Sequence, residues 1–385
     1  MDSSDEKKRP LVGTPAYDNW RALLDGEPLL GSVECLLYTD ARLTGEVATW
    51  AEPYRFFNLV PLERAMGHVR AAVALRVSLH VSFETPPMEK TERSRYHGGW
   101  ITDEIAALAS LKCGVRFRAG GDTRRFDMGG DPQGRPIAWS IRPEPNLHVG
   151  IRGPVLPAVT GEHSMMPIEE IKGFAALSPK QAIALVRAAR LYQDGLWPAE
   201  SEPNLSWLML VSAVETAAND WHSSKDSPLE RLKESRPAFV EYLEGTRIEG
   251  LAERVANEFA DSIGGARKKF RNFLIRYVPQ PPAKRPAEWG QVDWSEGKLK
   301  KAFDKIYSHR SKALHDGMPF PAPMCEPPAR HQTWEAVAER PTGLATSSDG
   351  GIWLANDTPM LLNTFEYIAR SALNAWWSSM TASAS

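Results

Sequence analysis

An arginine and a histidine near position 310 are the side chains whose types and spacing best fit a chemical reaction. They belong to the segment KIYSHRSKALHDG, residues 305–317, and are Arg310 and His315. The planar guanidinium of Arg310 can hold a phosphate through two hydrogen bonds. The imidazole of His315 can take up or deliver a proton near neutral pH. GxxxxGK[ST], GxGxxG, HExxH and GxSxG do not occur, so phosphate-loop, dinucleotide, zinc-protease and serine-hydrolase sites have no motif behind them.

The surroundings of this pair favour it over a second match to the same pattern. Arg142 and His148 also have the required spacing, but two prolines between them prevent a helix. After His315, Gly317 and Pro319 are typical of a helix end. An alternative without chemistry stays open, in which His315 stabilises the C-terminal end of the helix and Arg310 forms a surface ion pair.

The elements that must position these residues are helical. Ser178-Pro179-Lys180-Gln181 and Ser227-Pro228-Leu229-Glu230 are capping boxes with proline at the first helical position. Residues 205–219 are apolar on most sides, which is typical of a helix inside a bundle. Further helices are predicted by similar patterns over 248–264, 266–277, 298–315 and 358–378.

The first part of the chain shows strand patterns instead. Leu75 to Glu84 alternates apolar and polar residues, as a half-buried strand does. Weaker candidates are 33–39, 115–118, 136–141 and 147–151, with a helix between Thr102 and Gly114. The sequence therefore predicts an α+β fold with four parts: an N-terminal tail over 1–27, a mostly β sensor or regulatory domain over 28–158, a linker over 159–177 and a helical domain over 178–380.

Composition excludes several classes of protein. The 385 residues, 42% of them hydrophobic, can bury a sizeable core. The charged N-terminus lacks an apolar signal segment and the chain has no apolar run of membrane-spanning length, so we expect a cytoplasmic protein without a membrane partner. The three cysteines lie far apart and form no metal-binding motif, so we expect neither a disulfide framework, a metal site nor a cofactor.

Charge is unevenly distributed although the formal net charge is only −2. Between Arg267 and Lys312 the chain has thirteen Lys or Arg residues and four Asp or Glu residues, with aromatic residues among them. Such a mixture can bind single-stranded RNA through phosphate contacts and base stacking, and it equally fits the solvated face of an amphipathic helix. The candidate RNA-binding residues are Arg267, Lys268, Lys269, Arg271, Lys305 and Lys312.

Residues 178–378 resemble the HEPN family, and the ApeA-like branch of antiphage ribonucleases in particular. The resemblance rests first on Arg310 and His315, which match an R-x4–6-H motif preceded by a YxxR-like segment. It rests second on the helix around Glu215, which follows the segment LYQDGLWPAES. It implies an all-α HEPN-like bundle after the β region. It also implies an endoribonuclease that needs no metal and leaves a 2′,3′-cyclic phosphate and a 5′-hydroxyl. His315 would take the proton of the ribose 2′-OH or deliver a proton to the leaving 5′-oxygen.

The resemblance also implies roles for neighbouring residues and for a second copy. On an ideal helix Arg310 and His315 lie about 140° apart, and family members resolve this by forming a homodimer with both motifs in one cleft. Phe303 and Tyr307, one to two turns before Arg310, are candidates for the apolar surface of that interface. Glu215, an acid in an apolar helix, needs a partner, and Arg310 or another base can serve. Ser311 is a candidate for orienting the phosphate, and Tyr307 is a further supporting residue. Asp316-Gly317 replaces the His-x-Tyr ending of relatives that a partner antitoxin modifies.

Two functions remain open from the sequence. The first is a defence or toxin-type effector that cleaves RNA, with a regulatory ligand or a phage-derived trigger acting on the N-terminal domain. The second is a catalytically silent HEPN module that binds a ligand or serves as a scaffold. Arg310 and His315 favour the first, and a shared basic cleft in a dimer would distinguish it from the second.

Overall fold

The computed structural model has a mixed α+β fold, as predicted, with an antiparallel sheet in the N-terminal region and many helices later in the chain. It describes residues 10–47, 52–59, 68–83, 90–127, 132–137, 142–147, 153–221, 227–246, 248–259, 265–331, 336–343, 345–348 and 350–382.

The first element of the described part is a helix that the sequence patterns missed. Helix α1, Pro15–Leu24, lies inside the predicted tail, and its residues Ala16, Tyr17 and Trp20 are buried. The Tyr17 hydroxyl donates to the main-chain oxygen of Leu177 at 2.8 Å. Part of the predicted tail is thus a helix whose aromatic residues fill part of the core.

The N-terminal sheet has five antiparallel strands in the order β3-β4-β1-β5-β6, and a separate parallel pair joins β2 to β7. Its elements are β1 Gly31–Thr39, β2 Arg42–Thr44, β3 Tyr54–Asn58, β4 Arg70–Leu79, α2 Ile101–Cys113, β5 Arg118–Phe126, β6 Arg135–Pro136 and β7 Glu162–Ser164.

The strand predictions hold best where one face of the sheet is buried. Val73, Leu75 and Val77 of β4 alternate into the core, but the strand ends at Leu79 and begins earlier than predicted, at Arg70. The 33–39 strand is confirmed within β1, and the helix between 102 and 114 is confirmed as α2.

Other strand predictions are wrong or lie outside the described residues. Val115 to Phe117 form a buried loop, and β5 follows it at Arg118. Strand β6 is only two residues long; residues 138–141, 148–151 and Glu84 lie outside the described part of the chain. Local patterns located apolar residues here without telling a strand from a buried loop.

The predicted linker is also ordered structure. A 3-10 helix over Met166–Ala176 buries Ile168, Ile171 and Phe174. The helical part then follows with α3 Pro179–Leu196, α4 Pro203–Trp221, α5 Pro228–Ser235, α6 Pro237–Gly245, α7 Leu251–Glu258, α8 Ala266–Arg276, α9 Glu296–His315, the hairpin β8 Ala345–Ser348 and β9 Gly351–Leu354, and α10 Leu362–Ala382.

Both predicted capping boxes are confirmed. The Ser178 side chain accepts from the Gln181 amide, and the Ser227 side chain accepts from the Glu230 amide. Helix α7 is shorter than predicted, and residues 260–264 lie outside the described part. The β8–β9 hairpin adds strands to a region that was expected to be entirely helical.

One apolar cluster runs through both parts of the chain. It includes Trp20 of α1, Leu37 of β1, Trp207 of α4 and Trp376 and Trp377 of α10. The adjacent tryptophans near the C-terminus thus pack inside the protein, each 1% exposed. The proposed domain boundaries stay a prediction, but the sheet and the helices share this core. None of the described helices is long and apolar enough to cross a membrane.

Candidate functional site

Helix α9 positions the predicted pair. Leu299, Phe303 and Ile306 bury one side of the helix in the core. The helix continues to His315, where Asp316 donates its amide to the Lys312 carbonyl at 2.8 Å. The two side chains therefore keep the helical separation of about 140°.

Arg310 meets Glu215 of the neighbouring helix α4. The Arg310 Nη2 atom donates to Glu215 Oε2 at 2.6 Å, and the two side chains are 20% and 13% exposed. Two neighbours of Glu215 on α4, Val211 and Val214, are fully buried. The predicted contact is confirmed, because a carboxylate among apolar residues requires a charged partner.

Tyr307 completes this group. Its ring centroid lies 5.7 Å from Arg310 Cζ, and its hydroxyl lies near enough to the Glu215 carboxylate for each group to influence the pKa of the other. Burial, followed by the negative charge of Glu215, raises the pKa of Tyr307 to about 12. Burial also raises the pKa of Glu215, although Arg310 and Tyr307 act in the opposite direction. The attraction of Arg310 thus offsets only part of the cost of burying the carboxylate.

The Nε–H donor of Arg310 has no acceptor among the residues that the structure describes. The Nε atom is buried. A buried donor without an acceptor costs free energy in the folded protein.

His315 is not brought to Arg310. It is the last residue of α9 and is exposed to solvent, whereas Ser311 is half-buried directly after Arg310. Phe303 was a candidate for a dimer interface, but it is 0% exposed and belongs to the protein's own core. That expectation is wrong, because three or four residues along a helix return a side chain to the buried stripe.

Several predicted RNA-binding residues form ion pairs within the chain. Arg267 and Arg271 of α8 both contact the Asp304 carboxylate of α9, at 3.3 Å and 3.1 Å. Lys305 contacts Asp357 at 2.7 Å. Asp304 is already among the four acidic residues of the segment, so of these contacts only that of Lys305 with Asp357 reduces its positive charge below the sequence count.

The remaining candidates differ in exposure. Lys268 and Lys312 are exposed, and Lys269 is half-buried with its Nζ atom 3.4 Å from Asn219 Oδ1. Lys312 lies closest in sequence to the predicted pair, one turn before the end of α9. Exposed lysines can attract a polyanion without ordering it.

The face of α9 that points away from Arg310 lines a cavity of about 940 Å³. Lys305, Ser308, His309 and Lys312 contribute to its wall at helical spacing. His309 Nε2 lies 2.8 Å from the Asp357 main-chain oxygen, and burial lowers the pKa of this histidine. Sequence reasoning missed this face, although the spacing of three, four and seven residues was a visible signal.

A buried ion network behind the cavity was also missed. Arg116 contacts Asp40 at 2.6 Å and Glu200 at 2.5 Å, and all three side chains are at most 2% exposed. Arg116 also donates to the Leu196 carbonyl at 2.8 Å, and Glu200 accepts from the Val155 amide at 2.6 Å. A single arginine between apolar residues gave no sequence signal for this network.

Cysteines and metal ligands add no site among the described residues. No three His, Cys, Asp or Glu side chains in that part of the chain are grouped to hold a metal. Cys35 and Cys113 are buried and Cys325 is half-buried, and burial raises the pKa of all three thiols. Thiols with raised pKa are weak nucleophiles at neutral pH.

Comparison of the chain with protein-family models, with curated proteins and with solved structures finds no match.

Proposed function

We propose that this chain is an endoribonuclease of the HEPN type that cleaves single-stranded RNA through its Arg310 and His315 side chains. The observation that carries the proposal is the contact of Arg310 with Glu215 at 2.6 Å, one turn before an exposed histidine. Burial disfavours a charged guanidinium, and the contact with Glu215 offsets this and fixes the orientation of the Arg310 side chain. A guanidinium that binds phosphate through two hydrogen bonds requires a fixed orientation.

In the proposed reaction, Arg310 holds the scissile phosphate and stays charged as negative charge develops on it. The ribose 2′-oxygen bonds to phosphorus, the bond from phosphorus to the 5′-oxygen breaks, and the 5′-oxygen receives a proton. His315 removes the proton from the 2′-hydroxyl or supplies the proton to the 5′-oxygen, which contributes on the order of 10²–10⁴ in rate. The products are a 2′,3′-cyclic phosphate and a 5′-hydroxyl.

A homodimer belongs to this proposal. Arg310 and His315 of one helix point about 140° apart, so a second copy is needed to bring one of each residue to the same phosphate. Leu314, 51% exposed and one turn after Arg310, is an apolar residue available for such an interface. A twofold axis near it would place the two motifs opposite each other.

The test compares cleavage of total RNA by the wild type, His315→Ala and a control variant, His331→Ala, which changes another exposed histidine. We expect cleavage to be lost only in His315→Ala, to survive millimolar EDTA and to stop when the target position carries 2′-deoxyribose. Cleavage by His315→Ala would remove the assignment of this residue. Cleavage at a 2′-deoxy position would indicate attack by water instead.

A second function is favoured by the cavity of about 940 Å³ on the other face of α9. In that case the helical part is a catalytically silent HEPN module, and the cavity holds a small ligand. The same purified protein would then cleave no RNA, with or without a dimer.

As a ribonuclease, the chain would act in the cytoplasm as a defence effector, with a ligand or phage-derived trigger acting on the N-terminal region.

A further inference from the structure

A small cavity in the N-terminal region lies between the start of α1 and the start of α2. Its volume is about 280 Å³, and Phe83, Tyr96 and Trp100 supply aromatic walls. The Phe83 and Trp100 rings meet edge to face with centroids 4.7 Å apart. Tyr96 is 74% exposed and Trp100 is 45% exposed. Aromatic surface left open at a cavity mouth is suited to stacking against a planar ring.

A buried histidine forms part of the same wall. His97 Nε2 lies 2.8 Å from Glu104 Oε1, and the two side chains are 2% and 0% exposed. The other oxygen of Glu104 accepts from the Thr14 hydroxyl at 2.6 Å and from the Ala16 amide at 3.0 Å. His97 Nδ1 is buried, and no described residue bonds to it. A histidine held so firmly through one ring nitrogen offers the other to a ligand.

The charged side chains of the cavity wall are two carboxylates, Asp18 and Glu92, and one guanidinium, Arg95. Asp18 Oδ1 accepts from the Gly13 amide at 2.9 Å, and its Oδ2 lies 3.6 Å from Arg95 Nη1. Glu92 is exposed at the rim and accepts from the Ser94 amide at 2.5 Å. Each buried carboxylate near the cavity thus already faces a donor or a cation. Two carboxylates against one guanidinium disfavour an anion. Because the buried carboxylates already have partners, an uncharged ligand needs no counter-charge from the protein.

The loop that carries the aromatic residues is held in place by α3. Arg187 donates to the main-chain oxygens of Arg93, Ser94 and Tyr96, at 3.2, 2.5 and 3.1 Å. At the start of α2, the Trp100 amide donates to Asp103 Oδ2 at 2.9 Å. These bonds fix the main chain on both sides of His97, so the cavity is formed before any ligand arrives.

We propose that this cavity binds an uncharged planar heterocycle with the chemistry of a nucleobase, presented as a nucleoside. The ring would stack on Trp100 and Tyr96, and one of its polar edge atoms would hydrogen-bond to His97 Nδ1. Pockets for drug-sized ligands measure about 300–1,000 Å³. The 280 Å³ here admits a single small molecule, whose sugar would extend toward the exposed side of Tyr96. This proposal does not depend on ribonuclease activity.

The test is isothermal titration of the full-length protein with adenosine, guanosine, cytidine and uridine, and with choline as a cationic probe. Variants are Trp100→Ala and His97→Asn, with Trp289→Ala as the matched control, since Trp289 is a similarly exposed tryptophan outside the cavity wall. We expect at least one nucleoside to bind with a Kd below about 1 mM. Trp100→Ala, which loses one stacking partner, should bind that nucleoside about tenfold or more weakly. Trp289→Ala should bind it as the wild type does.

Several outcomes would overturn the proposal. They are the absence of binding by any of the four nucleosides, binding of choline alone, and nucleoside binding that Trp100→Ala leaves unchanged. If His97→Asn fails to fold because it disturbs Glu104, the exposed Trp100→Ala variant decides the question by itself. If His97→Asn folds, unchanged affinity in it would remove the hydrogen bond to Nδ1 and with it the assignment of the site.

Discussion

Removing the charge of Arg310 should destabilise the protein through Glu215. In Arg310→Met the aliphatic stem remains, but the Glu215 carboxylate loses the cation 2.6 Å away. Removing one partner of a fully buried ion pair costs about 3–5 kcal/mol, whereas an exposed pair contributes about 0–1 kcal/mol. With side chains 20% and 13% exposed, the expected cost lies between these limits, at about 2 kcal/mol.

This cost should depend on pH in a defined direction. Burial raises the pKa of Glu215 in the folded protein even with Arg310 present. The stabilising contribution of a carboxyl with a raised folded pKa is complete below its unfolded value of about 4.3, and it is lost as the pH rises through the folded pKa. Without Arg310 the folded pKa rises further. The cost of Arg310→Met should therefore shrink as the pH falls toward about 4.3.

Urea unfolding of four proteins at two pH values measures these effects. The proteins are the wild type, Arg310→Met, Glu215→Gln and the double variant. The double variant should recover about 1 kcal/mol or more of the lost stability, since it leaves no unpaired carboxylate. RNA cleavage should be absent from both variants that lack Arg310. If the double variant is as unstable as Arg310→Met, or if the cost is independent of pH, the arginine stabilises the chain by packing and the electrostatic reasoning is wrong.

Three other expectations follow from burial and exposure. Leu314→Asp should give inactive monomers by sedimentation, whereas Phe303→Asp should unfold the chain; a folded, active Leu314→Asp dimer would refute this interface. Arg116→Met should cost about 3–5 kcal/mol in urea unfolding because two buried carboxylates lose their cation, and a loss below about 1 kcal/mol would contradict that account. Burial lowers the pKa of His309, so its contribution is present above about 6.5 and is lost as the pH falls. The free energy of unfolding of His309→Asn should thus fall less than that of the wild type between pH 7 and pH 5. Equal decreases would contradict a lowered pKa of His309.

Features that depend on a few residues close together in the chain could be predicted from the sequence. The Ser178 and Ser227 capping boxes identified the starts of two helices, because each cap is a hydrogen bond between residues three apart. The alternation around Leu75 identified a strand of the sheet. The contact between Glu215 and Arg310 was predictable because an acid in an apolar helix needs a base.

Features that depend on distant contacts could not be predicted in this way. Helix α1 is recognisable only once the core that Trp20 enters is known. Phe303 was assigned to an interface because one-dimensional patterns show that a helix face is apolar without showing what covers it. The cavity lined by His309 depends on loops from several parts of the chain. The Arg116 network joins residues that are 76 and 84 positions apart in sequence.

That network has a consequence for how the protein can be divided. A fragment that begins at residue 178 would retain Leu196 and Glu200 but lose Arg116, their shared donor. It would also lose the sheet-side members of the common core, such as Leu37. Such a fragment should aggregate when expressed alone, because it exposes apolar surface and leaves the Glu200 carboxylate in that surface without its cation. The intact chain should instead melt in a single cooperative transition, since neither part has a complete interior of its own.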